Sequence, residues 1–297
     1  MAHKVNVAGT LYEISGGRTL VNGTGYSIDK GKTLVGGTAY EVGFVSIQPN
    51  EYLTFSSNSA FTLSVSTPNW DGAMYYSTDA MNWEEWDGSE ISANTIYLCG
   101  VGNTKVTSNS NVYKWTLTGT DISCNGNIET LLDYTTVEAG GHPSMANHCY
   151  GNMFYGCTSL TSAPSLPATA LVQGCYGSMF YGCTSLTSAP SLPATQLGQY
   201  CYSAMFRGCT ALTSVPLLPA TSLQAYCYQN MFYGCKKIKV SETATDTYTQ
   251  AYRIPYTSTG TTGMSSLAYM FTSTGGTFKG TPSINTTYYL DASNTIV

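Results

Sequence analysis

The sequence predicts a multidomain, mainly β protein with three sections: short N-terminal β-repeats, a small β-sandwich, and a C-terminal α/β solenoid with 26-residue coils. Three observations support this prediction. One segment repeats at a 26-residue step in the second half of the chain, and a shorter one repeats at a 14-residue step at its start. Between them, apolar and polar residues alternate in short runs. The predicted boundaries are residues 1–44, 45–120 and 121–297.

The 26-residue repeat is the strongest of these observations. The stretch "MFYGCTSLTSAPSLPAT" begins at Met153 and again at Met179, "MFRGCTALTSVPLLPAT" begins at Met205, and "MFYGCKKIKV" begins at Met231. A unit of this length is too short to bury its own apolar face, so successive units must stack to form one core. The repeat therefore predicts a solenoid, with complete coils over residues 149–240.

Within a unit, "CTSLTSAP" predicts a short strand, "SLPAT" predicts the turn that leaves it, and "CYGSMFYGC" predicts one or two helical turns. The predicted core, with the counterparts in the other units, is Leu160, Leu166, Leu171, Met179 and Phe180. The Leu spacing and the aromatic-Gly-Cys step resemble the leucine-rich repeats of the BspA-like class, whose hallmark is Phe-x-x-Cys followed by a Leu-rich strand. The resemblance covers residues 149–240 and implies a leucine-rich-repeat solenoid, with a longer coil than is usual in that class.

The N-terminal end of such a solenoid needs a cap, because the first coil would otherwise expose its apolar face. Ile128, Leu131 and Leu132 fit a short amphipathic helix. We therefore expect residues 121–148 to cover this end.

The C-terminal end shows a degenerate copy of the repeat. Met270 and Phe271, followed by "GTPSINT", resemble a fifth coil with one residue inserted, in which the cysteines of the earlier units are replaced. A polar loop is predicted from Ser241 onwards. Residues 241–297 are therefore predicted to be this loop followed by the C-terminal cap.

The first section carries the 14-residue repeat, with copies that begin at Val7, Val21 and Val35. In each copy a tyrosine is followed two residues later by an aliphatic residue, which is the period of a strand. The residues that carry this pattern are Tyr12, Ile14, Tyr26, Ile28, Tyr40 and Val42. The residues between copies that favour turns are Gly16, Gly17, Lys30 and Gly31.

Short strand pairs of this kind are marginal on their own in water. We therefore expect residues 1–44 to pair with other copies of the chain and to hold a homo-oligomer together, with a trimer favoured. The alternative is a β-meander that packs on the next domain.

The middle section, residues 45–120, alternates apolar and polar residues with turn residues between the runs. Its apolar positions are Leu53, Phe55, Phe61, Leu63, Val65, Met74, Tyr76, Ile96, Leu98, Trp115 and Leu117. Strands at this spacing are typical of a small sandwich, so an Ig-like β-sandwich is predicted.

Eight of the ten cysteines form two columns of the repeat. The columns are Cys149, Cys175, Cys201 and Cys227, and Cys157, Cys183, Cys209 and Cys235. Equal phase in stacked coils places them in buried rows, so we expect free thiols. Stacked strands lie about 4.7–4.9 Å apart, within disulfide reach, so disulfides remain an alternative. Zinc is disfavoured because its paired ligands usually lie about two to four residues apart.

The charge pattern excludes several classes of function. The net charge is −5 and there is no basic run, which argues against a nucleic-acid partner. No run of about 18 apolar residues suggests membrane insertion, and the N-terminus lacks the apolar region of a secretion signal. We therefore expect the chain to be made in the cytoplasm without inserting into a membrane.

The distribution of acids argues against an enzyme. Between Glu138 and Glu242 there is no Asp or Glu, so the complete coils lack the two carboxylates that a glycosidase needs. His142 and His148 lie near the first coil without a nucleophile motif. The sequence predicts no catalytic residue, no metal site and no cofactor.

Six acids cluster between Asp71 and Glu90 in a predicted hairpin. A carbohydrate-active enzyme would place its site at the junction of sandwich and solenoid and would use members of this cluster: Asp71, Asp79, Glu84 and Glu85. Asp71, Asp79 and Asp87 also have the oxygen ligands that Ca²⁺ prefers. A solvated acidic hairpin is the favoured interpretation.

The remaining surface is uncharged and rich in Tyr, Ser and Thr. Planar aromatic rings give contact area at small entropic cost, and hydroxyls adapt their hydrogen bonds, so such a surface suits neutral glycans or a protein. The predicted ligand-binding face consists of Thr161, Thr187 and Thr213 on one side and Tyr155, Tyr181, Arg207 and Tyr233 on another.

The order of Tyr-Gly-Thr repeats, a small β-domain and a BspA-like solenoid resembles proteins of tailed bacteriophages of gut bacteria and of their hosts' surfaces. The resemblance implies a non-enzymatic fibre, tail or capsid-decoration protein, which attaches to other virion proteins through its N-terminal repeats and binds a bacterial surface glycan or protein. Such a protein is made in the host cytoplasm and released on the virion surface. A secreted bacterial adhesin is the alternative, and a carbohydrate-active enzyme is the second.

Overall fold

The computed structural model describes residues 52–297 and, before them, the backbone of six short strands between residues 3 and 41. The described chain is mainly β, with several sheets, few helices and no barrel. Among its helices, none combines the length and the apolar character that crossing a bilayer requires.

The N-terminal strands are β1 (His3–Val7), β2 (Thr10–Ser15), β3 (Arg18–Val21), β4 (Thr24–Ser27), β5 (Lys32–Val35) and β6 (Thr38–Glu41). The strands β1 to β4 form one antiparallel sheet in sequence order, and β5 pairs with β6. Each of these strands thus pairs with a sequence neighbour in the same chain, which is the pairing of a meander.

The repeat tyrosines predicted for oligomerisation fall on these strands. Tyr12 and Ile14 lie in β2, where they oppose Val5 and His3 of β1. Tyr26 lies in β4 and Tyr40 in β6. The other residues named for this section lie outside the described residues: Ile28, Val42, Gly16, Gly17, Lys30 and Gly31.

The middle section and the first residues after it form one antiparallel sheet of six strands. They are β7 (Leu53–Ser64), β8 (Ala73–Ser77), β9 (Glu84–Glu85), β10 (Ile91–Val101), β11 (Thr116–Thr118) and β12 (Ser123–Asn125). The order is β11-β7-β10-β8-β9, and β12 pairs with the other half of β7. The predicted alternation is present along β7, where Leu53, Phe55, Phe61 and Leu63 are buried.

The described strands of this section belong to one sheet, whereas the alternation predicted a sandwich of two. The physical reason is that the repeats and one helix cover the apolar face instead. Phe55 packs edge-on against Phe154 of the first repeat, with ring centroids 5.9 Å apart. The helix α1 (Thr130–Glu138) packs on β10, with Leu131 and Leu132 buried. The sheet and the repeats therefore share one hydrophobic core.

Successive repeats are joined by backbone hydrogen bonds from every second residue. In the first repeat, the N–H of Tyr150 donates to the carbonyl of Cys175 (3.0 Å), and the N–H of Phe154 donates to that of Met179 (2.9 Å). The same bonds recur 26 residues later, for example from Phe180 to Met205 (2.9 Å). We call each 26-residue unit a coil and number the coils from residue 149.

The predicted helical turns of "CYGSMFYGC" are not a helix. In residues 149–240, which the structure describes completely, this segment is a series of single turns. Two features prevent a helix. Asn152 (φ 57°) and Gly156 (φ 75°) adopt left-handed backbone conformations, which a right-handed helix excludes. In addition, every second N–H group donates to a carbonyl of the next coil and therefore cannot form the hydrogen bonds of a helix.

Residues of equal phase form buried columns through the coils. The phenylalanine column has ring centroids 5.5–5.7 Å apart and consists of Phe154, Phe180, Phe206, Phe232 and Phe271. A parallel tyrosine column consists of Tyr150, Tyr176, Tyr202 and Tyr228. The predicted core residues Leu160, Leu166, Leu171, Met179 and Phe180 are all buried, as expected.

All ten cysteines lie in the described region, and all are buried free thiols. In one column, thiols donate to the phenylalanine carbonyl of the preceding coil, as Cys183 does to Phe154 (3.1 Å). In the other, the Sγ atoms of Cys149 and Cys175 are 3.0 Å apart. Burial raises the pKa of Cys157 and Cys235 to about 12, so these thiols stay protonated.

Short strands lie in the third and fourth coils and in the segment that follows them: β13 (Ser214–Val215), β14 (Ser222–Leu223), β15 (Val240–Ser241), β16 (Tyr248–Arg253), β17 (Thr261–Thr262), β18 (Thr287–Asp291) and β19 (Thr295–Ile296). The sheet β15-β18-β16 is antiparallel, and the pairs β13-β19 and β14-β17 are parallel. The segment predicted as a polar loop thus contains a strand, because Tyr252 is buried and packs edge-on against Phe271.

The degenerate fifth copy continues the hydrogen bonds of the coils. The N–H of Phe232 donates to the carbonyl of Met270 (3.0 Å), and that of Tyr228 donates to Ser266 (2.9 Å). Ser266 therefore stands where earlier coils have a cysteine. Thr274 lies three residues after Phe271, at the position of the second cysteine column. Ser266 and Thr274 are both buried.

Candidate functional site

One residue in each coil lies between a buried phenylalanine and a glycine with positive φ. These residues are Tyr155, Tyr181, Arg207 and Tyr233, and all four are half-buried, whereas each preceding phenylalanine is fully buried. The buried ring fixes the orientation of the turn, so the next side chain projects to the outer surface. The four predicted residues are therefore brought together in one row.

The row is closely stacked. The rings of Tyr155 and Tyr181 have centroids 4.5 Å apart and an interplanar angle of 15°. The Arg207 guanidinium lies 5.5 Å from the Tyr181 ring centroid and 4.4 Å from that of Tyr233. Lys114, from the segment before β11, places its Nζ 5.9 Å from the Tyr155 centroid. We call these five residues the outer column.

The two cations of the outer column form no ion pair within the described residues. In the part of the chain that the structure describes, the ion pairs join His142 with Glu129 and Lys239 with Asp291. Neither pair involves Arg207 or Lys114, whose cations instead lie against aromatic rings. Such contacts are worth about 0.5–1 kcal/mol each at exposed positions. The cations are thus held in place and remain available for an anion.

The environment of Tyr155 favours the neutral form of its hydroxyl. Burial, and then the neighbouring Tyr181, raise the pKa of the Tyr155 hydroxyl above its ordinary value of 10.0. Near neutral pH this hydroxyl therefore serves as a hydrogen-bond donor and acceptor and carries no negative charge.

The predicted threonine face is a row as well, but its hydroxyls support the backbone. Thr161 Oγ1 donates to the carbonyl of Ile122 (3.0 Å), Thr187 Oγ1 to that of Thr161 (3.3 Å), and Thr213 Oγ1 to that of Thr187 (3.1 Å). Each hydroxyl retains only its acceptor lone pairs for a ligand. The outer column is therefore the stronger candidate for binding.

Sequence reasoning missed two features of this surface. Lys114 lies outside the repeat, so no periodicity could indicate it. A second aromatic pair, Tyr200 and Tyr226, stacks with centroids 4.6 Å apart, and its 26-residue spacing was visible in the sequence. At the same phase, a Cβ on Gly174 would come within 2.0 Å of the His148 imidazole, so that ring lies across the glycine.

A shallow groove of about 420 Å³ lies between the first two coils. Its lining is Ala163, Pro164, Ser165, Leu166, Pro167, Pro190, Ser191 and Pro193. No charged side chain lines it, and prolines lack N–H donors. The groove therefore offers little to orient a polar ligand.

The acids of the sheet hairpin have structural roles. Asp71 accepts hydrogen bonds from the N–H (2.8 Å) and Oγ1 (2.7 Å) of Thr104. Although partial burial acts in the opposite direction, these bonds lower the pKa of Asp71. Asp79 accepts from the N–H groups of Asn82 and Met81 (both 2.8 Å), which lowers its pKa below the usual range.

The remaining members of this acidic cluster are also exposed or bonded locally. Asp87 accepts from the N–H of Ser89 (2.9 Å), Glu84 accepts from the Tyr76 hydroxyl (2.7 Å), and Glu85 is exposed. Within the described residues, no group of three or more His, Cys, Asp or Glu is arranged to hold a metal ion. The cluster is thus a set of turn-stabilising and solvated acids.

Glu129 is a buried acid that immediately precedes α1. Its Oε2 lies 2.7 Å from His142 Nδ1, while its Oε1 is buried without a hydrogen-bond partner. Burial raises the pKa of Glu129, and the His142 contact opposes that rise. The pair fastens the segment after α1 to the helix start, and His142 itself is half-exposed.

The described geometry thus combines stacked 26-residue repeats, a sheet continuous with their core, and one aromatic and cationic surface row. Comparison of the chain with protein-family models, with curated proteins and with solved structures found no match. Function is therefore inferred from the outer column itself.

Proposed function

We propose that the chain is a non-enzymatic adhesion protein and that residues 149–240 form a BspA-like leucine-rich-repeat solenoid. The recurring cross-coil hydrogen bonds and the in-phase buried columns support the solenoid. In such an array each repeat contacts mainly its neighbours, and the repeated surface positions form an extended binding surface.

The observation that carries the proposal is the outer column. Its four coil residues present aromatic and hydrogen-bonding groups at a regular step along the stack, with Lys114 at one end. A regular row of this kind suits a polymer with a repeating unit, such as a bacterial cell-surface glycan, or the surface of a protein. Tyrosine and arginine are also the residues most often found at binding hot spots.

We further propose that the protein is part of a bacteriophage virion, as a fibre, tail or capsid-decoration protein. The order of the sections supports this setting: N-terminal repeats that attach to other virion proteins and trimerise, then a small β-domain, then the repeats that bind the host. Such a protein is made in the host cytoplasm and is released with the particle.

The adhesion proposal is tested by binding the fluorescently labelled full chain to bacterial cells. A variant with Tyr155→Ser, Tyr181→Ser and Tyr233→Ser is expected to lose about tenfold or more in affinity, because it removes the aromatic surface of the outer column. The matched control, Tyr200→Ser with Tyr226→Ser, removes the other stacked pair and should retain binding. Equal binding by all three proteins would refute the proposal.

The oligomer proposal is tested by the solution mass of the full chain from light scattering. We expect a trimer, and we expect a variant with Tyr12→Ser, Tyr26→Ser and Tyr40→Ser to dissociate. A monomer in both cases would contradict the proposal that the N-terminal repeats hold a trimer together. It would favour a secreted bacterial adhesin or a subunit that assembles only on a partner.

A further inference from the structure

One of the two cations of the outer column, Arg207, lies in a stretch of the chain that has no acids. Residues 139–241 contain Arg207, Lys236, Lys237 and Lys239 but no Asp or Glu. Lys114 joins this region from the sheet side. Although the whole chain has a net charge of −5, the stretch that contains the coils therefore has a positive charge balance.

We propose that the outer column binds an acidic sugar chain, in which carboxylates on different sugars of the same chain reach Arg207 and Lys114. This inference rests on the proposed adhesion function and names its ligand class. It replaces the neutral glycan that composition alone favoured.

Arg207 is prepared to receive a carboxylate. Its guanidinium lies between the rings of Tyr181 (5.5 Å) and Tyr233 (4.4 Å), and it donates no hydrogen bond to an acceptor within the described residues. Aromatic rings on both sides restrict the plane of the group and leave its N–H edges free. A guanidinium in this state presents two parallel donors to a carboxylate, which is a strong and directional arrangement.

The tyrosines explain why the ligand is a sugar chain and not a simple anion. Tyr155 and Tyr181 turn their faces toward each other, so a ligand meets ring edges and neutral hydroxyls. Hydroxyls that both donate and accept are complementary to the hydroxyls of a sugar. The combination of such groups with two separated cations along the column fits a ligand that is polyhydroxylated and carries more than one negative charge.

The distance between the two cations requires more than one acidic group. Lys114 and Arg207 are separated by two tyrosines, Tyr155 and Tyr181, and each step of the column spans 4.4–5.9 Å. A single sugar acid reaches one cation only. A chain of sugar acids engages both, so the affinity should rise with chain length because the second contact becomes intramolecular.

The test compares trigalacturonic acid with its carboxyl-reduced, neutral form, by calorimetric titration of the full chain. The variant is Arg207→Tyr, which places at this position the residue that the first, second and fourth coils carry and so preserves the stacking. The control is Lys237→Gln, which removes one positive charge at an exposed position outside the column. Circular dichroism checks that each variant is folded.

We expect the wild-type chain to prefer the acidic trisaccharide by about tenfold or more. We expect Arg207→Tyr to reduce that preference, because only Lys114 then remains to bind a carboxylate, and to leave the binding of the neutral form unchanged. Lys237→Gln should retain the full preference. Equal affinity of the wild type for both sugars would overturn the acidic ligand but leave the adhesion proposal standing. Equal losses in both variants, or binding of neither sugar, would also overturn this inference, whereas the adhesion proposal fails only in the cell-binding test.

Discussion

The thiol of Cys157 donates a hydrogen bond to the backbone carbonyl of Trp115, with a distance of 3.3 Å. The same hydrogen bond recurs one coil later, where the thiol of Cys183 donates to the carbonyl of Phe154 (3.1 Å). The first of these bonds joins the sheet to the first coil, and the second joins the first coil to the second. The Trp115 N–H likewise donates to Met153 (2.8 Å), as the Phe154 N–H does to Met179 (2.9 Å). The segment before β11 therefore takes the place of a preceding coil and caps the stack.

The cap explains why the sheet and the coils share a core. Trp115 is fully buried and contacts the rings of Phe55, Trp86 and Phe154. It stands at the start of the phenylalanine column, in contact with both the sheet and the first coil. Sheet and repeats should therefore unfold together.

We expect Trp115→Ala to destabilise the chain by about 3–5 kcal/mol, because it removes a fully buried ring and leaves a cavity between sheet and coils. Trp115→Phe should cost much less, since phenylalanine occupies this position in every coil. Urea unfolding followed by far-UV circular dichroism measures both. If the two substitutions cost the same, the cap is not formed by this ring.

The substitutions Phe180→Ala and Tyr181→Ala test whether two adjacent residues differ in their contribution to stability. Phe180 belongs to the phenylalanine column and Tyr181 to the outer column. Phe180 is fully buried between Phe154 and Phe206, so its removal should cost about 3–5 kcal/mol. Tyr181 is half-buried, and its stacking and cation contacts should contribute only about 1 kcal/mol. Urea midpoints give both values, and a larger loss for Tyr181→Ala would contradict the assignment of the two columns.

The buried thiols should be unreactive in the folded protein. Burial disfavours the thiolate and raises the pKa of Cys227, as of Cys157 and Cys235, to about 12, and all ten cysteines are buried. Titration with a chromogenic disulfide reagent, without reductant, is expected to detect almost no thiol in the native chain and ten in denaturant. A denatured count of eight or fewer would instead indicate that disulfides link the coils.

Glu129→Gln tests the buried acid through its pH dependence. Burial raises the folded-state pKa of Glu129 above its ordinary value of 4.5. Its contribution to stability is therefore fully present below about pH 4.5 and is lost as the pH rises through the folded-state value. The variant should gain stability relative to the wild type over that upward window.

Urea midpoints measured from pH 4 to pH 8 give this difference. The matched control is Glu85→Gln, which neutralises an exposed acid and should show no comparable trend. A Glu129→Gln curve that stays parallel to the wild-type curve would show that His142 keeps this carboxylate ionised at no cost.

The sequence determined the in-phase features of this protein. Residues at equal positions of a 26-residue repeat must stack, so the burial of Leu160, Met179 and Phe180 and the row from Tyr155 to Tyr233 could all be predicted. The apolar face of β7 could also be predicted, because a strand's side chains alternate between its two faces.

The tertiary structure decided which partners meet when their positions share no period. Lys114 reaches Tyr155, and Trp115 reaches Phe154, from a segment that lies outside the repeat. The helix predicted within each coil is replaced by turns, because the N–H groups that would form it find better-placed carbonyls in the next coil. Periodicity predicts the contacts between equivalent residues of successive repeats. Contacts between unlike segments depend on how the whole chain packs.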